Sequence, residues 1–122
     1  MSEKPAKISD AELALMKVLW EAGEPLSAQQ VSESLQEKDW KYSTVATLFS
    51  RLVDKNAVSF EKRGRFYYYT PLISEKEYKA EQTHTLVSKL YNGSVKNLVV
   101  SLFENQQMSK ADIKEIKQKF GL

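Results

Sequence analysis

The chain has 122 residues, of which 42% are hydrophobic and 28% charged, with no cysteine and a net charge of +2. This is the size and composition of one ordinary globular domain with a small appended module, not of a disordered chain. The lack of cysteine excludes a disulfide framework, a thiolate metal site and a cysteine nucleophile. With no export signal and no apolar run of ~18 residues, the expected location is the cytoplasm, without direct membrane association.

The first helix is predicted from Ser9 to Gly23. Ser9 and Glu12 have the spacing of a capping box, in which each side chain satisfies the other's backbone N–H. Leu13, Met16, Val18, Leu19 and Trp20 follow as an apolar stripe, Gly23 ends the helix and Pro25 prevents its continuation. A short second helix is expected from Ser27, a good N-cap, with Val31 and Leu35 on its inner face. Residues 38–42 read as a polar connection with two aromatic anchors, Trp40 and Tyr42.

A third helix is predicted from about Ser43 to Lys55, with Val45, Leu48, Phe49, Leu52 and Val53 inward and Asn56 as a left-handed cap. The period then changes. Residues 58–62 alternate apolar and polar, Arg63-Gly64 supplies a turn, and residues 65–70 form an aromatic second strand closed by Pro71. Three helices followed by a hairpin with a basic tip is the element order of a winged helix-turn-helix. The same order also occurs in generic small domains and in protein-docking modules.

After Pro71 three more helices are expected. The first opens at a capping box, Ser74 with Glu77, and runs to Tyr91, where Asn92-Gly93 breaks it. The second spans Ser94 to about Asn105, and the third is capped by Ser109. Helices this short depend on packing. Their apolar positions (Leu86, Leu90, Val95, Leu98, Val99, Leu102, Phe103, Ile113 and Ile116) need a cover, and the reading assigns it to a second copy of the chain. Folding back onto the N-terminal part is the alternative. The expected fold class is mainly α with a small β-hairpin. Residues 1–72 would form a winged-helix DNA-binding domain and 73–122 a helical dimerisation domain.

Charge supports that division. Residues 38–70 hold seven Lys/Arg against three acids, a net +4, while the remainder holds eleven against thirteen, a net −2. Positive charge gathered in one segment suits a phosphate-contacting surface, although a solvated basic face has the same composition. On the outer side of the third helix fall Ser43, Thr44, Ala46, Thr47, Ser50 and Arg51. Small hydroxyl side chains and alanine permit close approach to groove edges, where hydroxyls meet bases or phosphates and methyl groups pack on thymine. Of these, Ser43, Thr44, Ala46 and Thr47 are assigned to base edges, and Arg51 to a phosphate or a guanine.

Lys62, Arg63 and Arg65 at the hairpin tip suit the DNA backbone or a narrow minor groove, and lysines there also guard a strand edge. In the run Phe66-Tyr67-Tyr68-Tyr69, alternate rings are expected to pack on the helices, with Tyr67 or Tyr69 reaching the DNA backbone. Stacking on single-stranded bases is the other use such rings have. His84 is the only histidine and reads as a surface residue. No catalytic triad, phosphate loop or paired carboxylate occurs, so neither an enzyme nor a metal or other cofactor is expected.

Several spaced motifs carry a resemblance. Ile8-Ser9-Asp10-Ala11-Glu12-Leu13, Met16-Lys17-Val18-Leu19-Trp20, Asp39-Trp40, Ser43-Thr44-Val45 and Arg51-Leu52-Val53-Asp54-Lys55 resemble the BlaI/MecI/CopY group of winged-helix repressors, as does Tyr91-Asn92-Gly93 with Leu98-Val99 and Phe103-Glu104. The resemblance implies a homodimeric repressor on palindromic operator DNA, controlling β-lactam resistance genes. It further implies release after cleavage in the dimerisation helices, set off by a membrane sensor metalloprotease. The scissile bond, ordinarily Asn-Phe, falls at Ser101-Leu102 here. The Ser-Pro common before the recognition helix is Lys41-Tyr42, and the cysteine-rich metal motif of the copper-responsive branch is missing. A repressor of the same group answering a different signal, or a protein-interaction module, are the alternatives.

Overall fold

A computed structural model describes residues 7–122. The elements are α1 (Asp10–Ala22), β1 (Leu26–Ser27), α2 (Ala28–Ser34), a 3-10 turn (Gln36–Lys38), α3 (Tyr42–Asp54), β2 (Val58–Arg63), β3 (Phe66–Pro71), α4 (Glu75–Leu90), α5 (Val95–Glu104) and α6 (Lys110–Phe120). The strands form a three-stranded antiparallel sheet in the order β1-β3-β2. The described residues divide into two compact units, the first ending at Tyr78 and the second running from Lys79 to Leu122.

The first unit is a winged helix. Ser9 and Glu12 make the expected reciprocal capping box, and Ser27 makes a second with Gln30. Gly23 ends α1 in the left-handed region at φ 67°, a conformation glycine adopts without a Cβ clash. The buried core includes Leu15, Met16 and Leu19 of α1, Val31 of α2, Val45, Leu48, Phe49 and Leu52 of α3, and Val58 of β2. Each such side chain is worth roughly 1.5–3 kcal/mol on burial. Trp20 is half-buried; its indole N–H donates to the Ile73 carbonyl at 2.9 Å and its ring meets Tyr78 at 5.6 Å.

Two features depart from the sequence reading. The hairpin turn is Gly64-Arg65, one residue later than expected, because Arg63 pairs with Phe66. Gly64 takes φ 63° while Arg65 does not enter the positive region. Glycine at the first central position is what a type II′ hairpin turn requires. In addition, Leu26 and Ser27 pair with Tyr69 and Tyr68, which adds a third strand to the predicted hairpin.

In the second unit, Ser94 caps α5, and Ser109 with Asp112 forms a reciprocal box opening α6. Asn92 and Gly93 both take positive φ, which breaks the helix after Leu90 as expected. Val87 is the single buried hydrophobic residue that the described residues of this unit supply. Among the described residues no helix is long and apolar enough to cross a membrane.

Candidate nucleic-acid interface

Helix α3 is built to show one face outward. Val45, Leu48, Phe49 and Leu52 are buried and fix its roll against α1, α2 and the sheet. Ser43, Thr44, Thr47, Ser50 and Arg51 consequently stand exposed on the other side. Ala46 is half-buried, at the border of the two faces. Thr47 Oγ1 donates to the Ser43 carbonyl at 2.9 Å, so its rotamer is held by the helix itself.

The helix begins at Tyr42, and the preceding Lys41 makes no side-chain cap bond. The Thr44 N–H already donates to the Lys41 carbonyl at 2.9 Å, so the Tyr42 and Ser43 amides are the ones left at a positive helix end, the arrangement that favours anions. Trp40 packs against the core as an anchor, but Tyr42 is 49% exposed and is not one. Lys41 and Tyr42 thus join the candidate surface. The sequence reading missed them because it started the helix one residue late and took both aromatic residues of the connection as buried.

At the wing, Lys62, Arg63 and Arg65 are all exposed. Arg63 lies 5.1 Å over the Tyr68 ring and 3.5 Å from the Glu61 carboxylate, an exposed pair of little energetic weight. Tyr69 stacks on Phe49 with centroids 4.0 Å apart and planes 7° apart, so its ring belongs to the packing of α3 and is not offered to DNA. Tyr67 remains 45% exposed.

Lys55, counted in the basic segment, is turned inward. Its Nζ donates to Glu12 Oε1 at 2.5 Å and to the Lys7 carbonyl at 2.7 Å, tying the end of α3 to the start of α1. Glu12 is 1% exposed, and Oε1 also accepts the Ser9 N–H at 2.8 Å. Burial acts to raise the Glu12 pKa. The hydrogen bonds from Lys55 and Ser9 and the Lys55 charge outweigh it, so the carboxyl titrates below its ordinary range.

The nine apolar positions assigned to dimerisation all lie in α4, α5 and α6. Leu86, Leu90, Val95, Val99, Phe103 and Ile116 are exposed, and Leu98, Leu102 and Ile113 are half-buried. Val100, Phe120 and Leu122 add further exposed apolar surface. Ser101 and Leu102, the positions matched to a scissile bond, are half-buried within α5, and Ser101 Oγ accepts from Tyr91 Oη at 3.1 Å and Asn105 Nδ2 at 3.2 Å. His84 is exposed, as expected, and no group of three or more His, Cys, Asp or Glu suited to a metal occurs among the described residues.

Similarity to known proteins extends over most of the chain. The penicillinase repressor of Bacillus licheniformis is 34% identical over 116 residues, covering 95% of this chain and 91% of that protein. The methicillin resistance regulatory protein MecI of Staphylococcus aureus strain N315 is 30% identical over 118 residues, covering 96% and 95%. Among solved structures, the DNA-binding domain of the repressor BlaI superposes with a TM-score of 0.54 at 38% identity, over 64% of this chain and 94% of that one. The Bacillus licheniformis BlaI monomer in complex with the blaP half-operator gives a TM-score of 0.52 at the same identity and coverage. Since the penicillinase repressor family profile also matches residues 8–121, spanning both the winged helix and the helices that follow it, the chain belongs to the penicillinase repressor family, whose members are transcriptional repressors and not enzymes.

Proposed function

We propose that this protein is a DNA-binding transcriptional repressor that holds a palindromic operator as a homodimer. The observation that carries the reading is the outward face of α3, small and hydroxyl-bearing, beside a wing whose tip holds Lys62, Arg63 and Arg65. Residues 1–72 engage one half-site each. Ser43, Thr44, Ala46 and Thr47 meet base edges, and Arg51, Lys62, Arg63 and Arg65 meet phosphates or the minor groove. Residues 73–122 join two copies, a reading supported by how little of the second unit's apolar surface is buried.

The finer regulatory reading rests on kinship with the penicillinase repressor and MecI. In it the protein acts in the cytoplasm on β-lactam resistance genes, and a membrane sensor metalloprotease system leads to cleavage at Ser101-Leu102 in α5. Cleavage there would break the dimer and lower affinity, because two half-sites must be held together. The bond lies inside a hydrogen-bonded helix, so a protease gains access only when α5 opens locally.

The primary test is a gel-shift titration with the palindromic DNA upstream of its own gene, repeated over a range of salt. Salt-sensitive binding with two chains per site is expected, tighter than to random duplex. Equal affinity for random duplex would overturn the operator reading. Within the interface, Arg65→Ala is expected to weaken all sequences alike and reduce the salt slope by about 1. Thr44→Ala is expected to relax base preference at one position, by about 1–3 kcal/mol of discrimination, with the slope intact. If both variants changed the same quantity, that division of labour would fail.

A further inference from the structure

Between α3 and the wing lies an open groove of about 190 Å³, lined by Ser50 and Val53 of α3 and by Phe60, Tyr67 and Tyr69 of the hairpin. The register explains its composition. Phe60 pairs with Tyr69 and Lys62 with Tyr67, so alternation puts these four side chains on the sheet face that looks toward α3. Tyr69 closes the inner end by stacking on Phe49. Farther out, Phe60 and Tyr67 meet edge to face at 5.1 Å, yet they are 52% and 45% exposed. Two large rings in edge-to-face contact and left half in water, beside the recognition helix, are not explained by the core.

We propose that this groove seats the deoxyribose rings of the DNA strand that passes between helix and wing. The inference rests on the DNA-binding reading above. A helix in the major groove and a hairpin tip at the adjacent minor groove must straddle one sugar-phosphate backbone. What the strand offers between successive phosphates is the apolar C–H surface of its sugars, which matches the aromatic walls. The phosphates on either side match the Ser50 hydroxyl on one wall and Lys62, next to Phe60 along the same sheet face, on the other. The largely apolar walls anchor water poorly, so the water that fills the groove is displaced with a gain in affinity. This contact reads no base and carries no charge. It adds affinity equally on every sequence and leaves the salt dependence alone.

The test uses the full-length protein and a fluorescent duplex of mixed sequence, with affinity measured at several salt concentrations. Phe60→Ala and Tyr67→Ala are each expected to weaken binding about fivefold, corresponding to the loss of some tens of Å² of apolar contact, with an unchanged salt slope. Lys62→Ala should instead lower the slope by about 1. Phe60→Leu and Tyr67→Phe keep an apolar wall and should bind within about twofold of the parent. Because both rings are half exposed, the alanine variants should retain the parent melting profile; a variant that lost it would be replaced by Tyr67→Thr or Phe60→Thr, which keep strand propensity and remove the ring, with the same expectation. Unchanged affinity in the alanine variants, or a slope lowered as in Lys62→Ala, would overturn the groove while leaving DNA binding intact. Failure of the parent protein to bind any duplex would overturn both.

Discussion

The Phe103→Asp variant is expected to sediment as a monomer where the parent chain sediments as a dimer, and to lose about 10²–10⁴-fold in operator affinity. Phe103 is 47% exposed on α5, so aspartate there removes little from the fold of a single chain. In the proposed dimer the same carboxylate would be buried against apolar neighbours, without a partner of opposite charge. The affinity loss would follow from geometry alone, since each winged helix would then hold its half-site independently. Binding to an isolated half-operator should be unchanged. A Phe103→Asp protein that stayed dimeric, or that lost half-site binding as well, would move the interface elsewhere.

Lys55→Ala should be the most destabilising surface-adjacent change in the winged helix, at about 3 kcal/mol, toward the low end of the range for breaking a buried pair. The low end applies because the Lys55 side chain is 26% exposed and water relieves part of the loss. For a domain of this size the melting temperature would fall by more than about 10 °C. Glu12→Gln should cost less, since the amide oxygen still accepts from Ser9 and Lys55.

The pH dependence gives an independent check. The folded pKa of Glu12 lies below its unfolded value, about 4.3, so its contribution is present above that pH and lost as pH falls through the folded value. In Lys55→Ala the buried carboxyl has lost its cation but still accepts from the Ser9 N–H, so its pKa rises toward the unfolded value. Its contribution to stability should accordingly vary less with pH than in the parent. Denaturant titrations of both proteins from acid to neutral pH, with Glu12→Gln as reference, would reveal the flatter dependence of the variant. Parallel curves would show that the pair does not govern this end of α3.

What was legible in the sequence is mostly local. Ser9-Glu12, Asn56 and Asn92-Gly93 act through neighbours no more than a turn away, and all behave as their residue types require. The apolar spacing of α3 likewise foretold its roll, and with it which hydroxyl side chains face out. Contacts between distant residues were not legible. Glu12 and Lys55 are 43 positions apart, and nothing in either short motif indicates that one lysine of a basic segment is spent inside the fold. The pairing of Leu26-Ser27 with Tyr68-Tyr69 is too short to show alternation, so a two-residue strand reads as loop. Tyr69 has the same composition signal as Tyr67, and only its stack on Phe49 separates a packing ring from an exposed one.

In the proposed complex, the bond from Thr47 Oγ1 to the Ser43 carbonyl would limit what that side chain is able to say to a base pair. Its one hydroxyl proton is already committed to the backbone, so the oxygen has only lone pairs left to offer. Such a threonine recognises amino groups, the N4 of cytosine or the N6 of adenine, and its methyl group greets the methyl of thymine. Guanine, which shows only acceptors in the major groove, would be met by an acceptor and disfavoured. A proton given to the main chain thereby becomes a bias against one letter in four.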